Sequence, residues 1–252
     1  MPTSERRSAL ITGASGGMGS AIAAALADEG FSLTITGRDL HKLEQTRRDV
    51  LQQADVDVQI VAGDIADGDF LRRLVEAHVG RFGAIDVLSN NAGVVRPSSI
   101  AEESDEDIDA QLTVNLRSLI LLTREAIPHL LRAAGTRERA HVFNTASNAG
   151  LRGELGIATY SATKAGVVKF TEAIHQEYAA KGIRATSLCP GLTDSAMTEM
   201  YRSVVPQEDM VDPRDIAEGV RFVIRCRSNC IVPELVFLRD AEWLDSAPEH
   251  AE

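Results

Sequence analysis

The sequence predicts an α/β fold, a single domain built on a mostly parallel sheet with helices on both faces. Three observations predict it. Short apolar runs alternate with longer helical patterns along nearly the whole chain. A glycine-rich turn joins the first run to the first helix. No linker and no internal repeat breaks the alternation, so residues 1–252 read as one domain, with 240–252 as a peripheral acidic tail.

Each element has a local reason. Ser8–Thr12 is a short apolar run of strand length. Residues 20–28 are rich in alanine and read as a helix. Ser32–Thr36 is the second strand. Leu40–Gln53 is a helix capped by Asp39, whose carboxylate can accept from a first-turn N–H that has no intrahelical partner. Residues 56–62 form the third strand and 69–82 the third helix. Residues 87–89 are a short strand leading into Asn90-Asn91-Ala92-Gly93, and 106–134 hold one long helix or two. A strand at 141–145, a helix at 159–181 and a strand at 184–188 follow. Pro213–Arg225 is a helix and 231–238 the last strand. Pro233 falls inside that run and cannot donate to a ladder, which places the strand at a sheet edge. Trp243 and Leu244 are available to dock the tail.

Composition narrows the function classes. The net charge of −11 argues against a general binder of nucleic acid or anionic membrane, although local positive charge can still hold a small anion. No apolar run reaches the ~20 residues that a membrane span needs. Residues 1–7 are polar and lead straight into a strand, without a signal-peptide pattern. Cys189, Cys226 and Cys230 form no CxxC pair, which suits a reducing cytoplasm and no disulfide framework. The six histidines are scattered without HxxxH spacing, so no metal site is expected.

Thr12-Gly13-Ala14-Ser15-Gly16-Gly17-Met18-Gly19 lies between the first strand and the first helix. Glycines there permit a tight turn and a close approach of backbone to phosphate, which the helix N-terminus then holds. The plainer alternative is a tight turn with no ligand; the placement favours a nucleotide site. At the tip of the second strand, an acidic residue would accept the ribose hydroxyls of NAD and repel a 2′-phosphate. Gly37 stands there, and Arg38 follows with a guanidinium able to bind a 2′-phosphate. NADP is therefore favoured over NAD, against a plainer reading of Arg38 as a solvated loop charge. Asp64, next to Ile65 after the third strand, is placed either to accept from the adenine amino group or to cap a turn. Asn91, Ala92 and Gly93 lie where the fourth strand would pass under the cofactor.

Tyr160 and Lys164 are four residues apart on a helix, which puts them on one face with Cβ atoms about 5–6 Å apart. A phenol ordinarily titrates near about 10. An ammonium alongside favours the phenolate and brings it toward the working pH, so the pair makes sense as a proton-transfer device. Ser147 follows the strand at 141–145, where the carboxyl end of a parallel strand puts a site.

Taken in order, TGxxxGxG at 12–19, Asp64-Ile65, NNAG at 90–93, Asn115, Ser147, YxxxK at 160–164 and Pro190-Gly191 resemble the classical short-chain dehydrogenase/reductase family across nearly the whole chain. The thirteen-residue step from Ser147 to Tyr160 is one that members commonly show. The resemblance implies a Rossmann-type, doubly wound sheet of about seven strands and a catalytic tetrad of Asn115, Ser147, Tyr160 and Lys164. Tyr160 would be the acid in carbonyl reduction and the base in reverse. Lys164 would lower the Tyr160 pKa and bind the nicotinamide ribose. Ser147 would hold the substrate oxygen, and Asn115 would help hold a water beside Lys164. In the stretch Pro190-Gly191-Leu192-Thr193-Asp194-Ser195, Ser195 would contact the nicotinamide carboxamide, Thr193 less readily.

The implied activity is interconversion of a carbonyl and an alcohol with NADP(H). A 3-oxoacyl-thioester reductase is the nearest alternative, and a non-catalytic NADP-binding sensor a more distant one. Val236-Phe237-Leu238-Arg239-Asp240 stands where family members that use carrier-protein substrates or form the common tetramer often carry a VDGG-like ending. That weakens one tetramer interface and the fatty-acid-synthesis reading. The expected partners are a small carbonyl or alcohol substrate and a second copy of the chain, as a homodimer or homotetramer. Val94, Val95, Arg96, Ala149, Leu151, Arg152, Glu154 and a lid at 197–205 are placed to line the substrate pocket. Arg96 and Arg152 could grip an anionic substrate or simply sit solvated at its rim.

Overall fold

The computed structural model describes residues 6–137 and 139–244. Strands β1 (Ser8–Thr12), β2 (Ser32–Thr36), β3 (Val58–Ile60), β4 (Val87–Asn90), β5 (Ala140–Thr145), β6 (Ile183–Pro190) and β7 (Glu234–Phe237) form one sheet. Its order is β3-β2-β1-β4-β5-β6-β7, and every neighbouring pair is parallel. Strand order reverses between β1 and β4, so a crevice opens outside their carboxyl ends.

Helices α1 (Gly17–Asp28), α2 (Leu40–Gln53), α3 (Gly68–Phe82), α4 (Asp105–Gln111), α5 (Ser118–Arg137), α6 (Ala158–Tyr178), α7 (Pro213–Arg225) and α8 (Asp240–Leu244) complete the fold. A parallel sheet needs apolar cover on both faces. Along β1, Ala9 and Ile11 join the cluster formed with α1, α2 and α7, through Leu26, Leu43, Ile216 and Val220. Leu10 points the other way, to Leu71, Leu74, Leu122 and Leu130 of α3 and α5. This alternation is the two-residue period of a strand. Asp39 caps α2 as expected, accepting from the Lys42 N–H at 3.1 Å. Asp67, Ser104 and Asp212 cap α3, α4 and α7.

Several boundaries differ from the sequence expectation. The first helix begins at Gly17, because the glycines that make the turn also supply its first residues. The stretch 106–134 resolves into two helices, α4 and α5. They are joined by a π-turn, Leu112–Arg117, where the Ser118 N–H reaches back five residues to the Thr113 carbonyl. Strand β3 is shorter than 56–62, although the Val61 and Gly63 N–H groups still bond to Ile35 and Gly37. Strand β7 is at the edge as expected, but Pro233 lies just before it and lends β6 only its carbonyl, to the Ser187 N–H at 2.9 Å. The side chains of Trp243 and Leu244 and the tail from 245 lie outside the described residues.

Candidate active site

The β1–α1 turn is shaped by contacts that exclude side chains. Gly13 has φ +66, and a Cβ there would lie 2.9 Å from the Ala92 backbone. At Gly19 a Cβ would be driven into the Gly13 carbonyl. The Thr12 hydroxyl accepts from the Asn91 and Ala92 N–H groups at 3.0 and 3.1 Å, tying the tip of β1 to the segment after β4. Helix α1 has no side-chain cap and no acidic residue in its first turn. Its Gly16 and Gly17 are exposed, so the turn offers backbone to a phosphate and fits a dinucleotide.

The neighbouring strand tips complete a narrow cleft of about 100 Å³. Its lining includes Gly13, Gly37, Arg38, Asp64, Ile65, Ala92 and Gly93. Arg38 is exposed and makes no ion pair among the described residues. Asp64 lines the cleft and also accepts from the Ala66 N–H at 2.9 Å, so it does hold a turn. Ser15 and Met18 flank the glycines of the first turn. A Cβ on Gly37 would lie 2.7 Å from the Ser15 hydroxyl.

The four tetrad residues come from three segments. Ser147 follows β5 and is buried, accepting from the Ala149 N–H at 3.2 Å and donating to Asn148 at 3.2 Å. Tyr160 and Lys164 lie one turn apart on α6. Asn115 sits in the π-turn, with its Oδ1 taking the Val94 N–H and its Nδ2 giving to the Val94 carbonyl, both at 2.8 Å. Its Nδ2 also donates to Thr163 at 3.2 Å. The Asn115 side chain is thus spent on docking the segment after β4. A Cβ on Gly93 would lie 3.3 Å from Asn115 Oδ1 and 3.4 Å from Lys164 Nζ, so all three meet at one point.

One expectation is corrected. Lys164 Nζ donates to the Thr145 carbonyl and lies 5.6 Å from the Tyr160 ring centroid. The Tyr160 pKa is not lowered. Burial pushes it up to about 12; the Ser147 hydroxyl pulls it down, and Glu154 and Tyr201 push it further up. Burial lowers Lys164 to about 8. The desolvation of the phenol outweighs an ammonium that is turned toward a carbonyl.

The last predicted segment is tightly bonded within itself. Pro190 ends β6, and the Gly191 N–H donates to Phe237 at 2.7 Å. The Thr193 hydroxyl donates to the Gly191 carbonyl at 3.0 Å, and the Ser195 hydroxyl is 3.1 Å from that of Thr198. Arg96 pairs with Asp107 at 3.2 Å on the rim, while Arg152 is exposed. The segment after β6 is fastened through Asp194, which accepts from Arg202 and Gln207 at 2.7 and 2.6 Å.

Sequence reasoning missed the supports. Asn90 donates to Thr123 and Asn144, and Asn144 donates to Thr171, a buried chain of bonds linking β4 and β5 to α5 and α6. Asn148 and Glu242 were also missed: no motif marks them, and they join the site only through folding.

Comparison with known proteins agrees with this geometry. The family model for short chain dehydrogenase matches residues 7–205. An uncharacterized oxidoreductase of Staphylococcus aureus strain MW2 is 30% identical over 227 residues, covering 90% of this chain and 94% of that one. An alcohol dehydrogenase from the archaeon Thermococcus sibiricus, solved with 5-hydroxy-NADP, superposes with a TM-score of 0.85 at 26% identity, covering 97% and 99% of the two chains. A 3-ketoacyl-(acyl-carrier-protein) reductase from Brucella melitensis, solved with NADH, gives 0.82 at 30% identity, covering 91% and 96%. A glycine turn at a switch point, a Ser-Tyr-Lys convergence at the strand ends and a family match over most of the chain place this protein among the oxidoreductases of the short-chain dehydrogenase family.

Proposed function

We propose that the chain is an NADPH-dependent reductase of a small ketone or aldehyde, able to run in reverse as an alcohol dehydrogenase. The observation that carries the reading is the convergence of Ser147, Tyr160 and Lys164 beside Gly93 and the dinucleotide cleft. The nicotinamide supplies the hydride when bound. The chain's residues supply placement and the proton. Tyr160, protonated at neutral pH, gives its hydroxyl proton to the carbonyl oxygen as charge gathers there. Ser147 donates a hydrogen bond to the same oxygen. Lys164, mostly charged at neutral pH, adds positive potential beneath Tyr160 and binds the nicotinamide ribose. Asn115 holds the segment 91–94 against α6, and Thr193 and Ser195 hold the carboxamide end.

Arg38 supports NADPH over NADH, because a free guanidinium at the cleft lip suits a 2′-phosphate and Gly37 brings no opposing carboxylate. A second reading, reduction of a 3-oxoacyl thioester, is supported by the likeness to the Brucella melitensis reductase. A homodimer formed through α5 and α6 belongs to the same proposal and is read by sedimentation. The deciding experiment follows cofactor oxidation against ketones, aldehydes, diketones and 3-oxoacyl thioesters, with NADPH and NADH in parallel. Turnover with NADPH on a small ketone or aldehyde is expected. Turnover confined to 3-oxoacyl thioesters would install the second reading, and an NADPH preference that survives in Arg38→Ala would remove the 2′-phosphate assignment.

A further inference from the structure

The C-terminal segment does more than end the chain. Two successive backbone donors just after β6 are taken by it: the Gly191 N–H by the Phe237 carbonyl at 2.7 Å, and the Leu192 N–H by Glu242 Oε1 at 2.9 Å. Glu242 is itself held in place. Its Oε2 accepts from the Arg239 N–H at 3.2 Å, and its Oε1 lies 3.4 Å from the Arg239 guanidinium. Its own N–H donates to the Arg239 carbonyl at 3.1 Å, closing a tight turn. The carboxylate is largely buried, with 16% of the side chain exposed. Gly191 makes this possible, because any Cβ there would occupy the position of the Glu242 carboxylate.

We propose that Glu242 is a positioning residue of the active site, holding the Gly191–Leu192 turn from which Thr193 and Ser195 hang. The proposal rests on the reading that this turn receives the nicotinamide end of NADPH. An N–H bonded to a carboxylate is stronger than one bonded to a neutral acceptor. Glu242 therefore fixes the turn more firmly than β7 alone could, across fifty residues of sequence.

The carboxylate also acts on the substrate side. Burial raises the Glu154 carboxyl above its ordinary range, Glu242 raises it further, and Arg152 and a bond from Asn148 lower it. Asn148 accepts from the Ser147 hydroxyl at 3.2 Å, and Glu154 is among the groups that push Tyr160 up. The charged and titratable groups facing this wall are Glu154, Arg152, Glu242, Arg239, Tyr160 and Tyr201. Glu242 thus reaches the site by two routes, a backbone bond to the Leu192 turn and a like charge on Glu154.

Two variants separate them. Glu242→Ala removes both the acceptor and the charge. Glu242→Gln keeps an acceptor for the Leu192 N–H while removing the charge and the second acceptor, which takes the Arg239 N–H. Calorimetric titration with NADPH is expected to show Glu242→Ala binding about ten- to a hundredfold more weakly, and Glu242→Gln within about threefold of the native chain. In both variants the Glu154 carboxyl, relieved of a like charge, is expected to titrate at lower pH, read from its side-chain carboxyl NMR signal. Unchanged affinity and an unchanged Glu154 titration in Glu242→Ala would overturn the proposal, and so would a lower melting temperature alone. Failure of the native chain to bind NADPH would instead sink the reading on which the proposal stands.

Discussion

Lys164 Nζ donates to the Thr145 carbonyl at 2.7 Å, so the buried ammonium is anchored to the strand that leads directly to Ser147. The bond joins α6 to β5 at the reacting end of the sheet and keeps a positive charge under the site. Burial lowers this ammonium to about 8 while Tyr160 stays protonated until about 12. Carbonyl reduction is therefore expected to decline as pH rises through about 8, where Lys164 loses its charge, and not at the phenol's own titration. Lys164→Arg, charged throughout this range, is expected to lack that limb at whatever rate it retains. Lys164→Met should lower kcat by at least about a hundredfold. A kcat/KM profile between neutrality and pH 10 checks all three, and a limb that persists in Lys164→Arg would reassign it.

Asn115 offers a second test. Its side chain satisfies both the N–H and the carbonyl of Val94 and reaches Thr163 on α6. Asn115→Ala orphans the Val94 groups, each worth about 1–3 kcal/mol where water cannot replace the partner. The segment carrying Asn91, Ala92 and Gly93 should loosen. Cofactor affinity is expected to fall at least about tenfold, with a lower melting temperature. Unchanged affinity would show that the π-turn serves the site through its backbone alone.

The strand–helix alternation and the glycine turn were legible in the sequence because both follow from local rules: apolar period, turn chemistry and capping. Asp39 shows this well, since its cap bond to Lys42 lies three residues away. The edge position of β7 was anticipated too, although Pro233, on which the expectation rested, lies just before the strand. Long-range supports were not. Glu242 meets Leu192 across fifty residues, and Asn144 meets Thr171 across twenty-seven, with no periodicity to announce either. The direction of the Tyr160 shift was misread for the same kind of reason. Helical spacing puts Lys164 beside Tyr160, but burial and the Thr145 carbonyl decide where the ammonium points.

Gly37 and Ser15 make cofactor choice a two-residue matter. A Cβ on Gly37 would lie 2.7 Å from the Ser15 hydroxyl and 3.4 Å from the Ser15 Cβ, so Gly37→Asp displaces that hydroxyl. The single variant is expected to lose NADPH affinity, because its carboxylate repels a 2′-phosphate. Adding Ser15→Gly removes the crowding, and the carboxylate is then free to accept ribose hydroxyls. The double variant should favour NADH, reversing the native ratio of dissociation constants by at least about tenfold. Equal losses for both cofactors in the double variant would place the discrimination elsewhere in the cleft.

Two buried histidines make the fold sensitive to acid. His78 bonds to Thr34 at 2.8 Å and to Ser8 at 3.2 Å, and burial lowers it to about 4. His141 stacks on Phe143 with centroids 4.2 Å apart, lies 2.9 Å from the Thr186 hydroxyl, and is lowered by burial to about 3. Both folded values lie below the ordinary 6.5, so the stability they contribute is present above that pH and is lost as pH falls toward the folded values. Each should cost on the order of 3 kcal/mol by about pH 4. The Thr186 hydroxyl already donates to the Val232 carbonyl, so the His141 ring donates to Thr186, and removing the ring orphans no donor there. His141→Leu is therefore expected to fold and to lose about half of the histidine-linked acid sensitivity, measured as the unfolding free energy in urea between neutral pH and about pH 4. A His141→Leu chain as acid-sensitive as the native one would mean that His141 is already accommodated as a cation in the folded state.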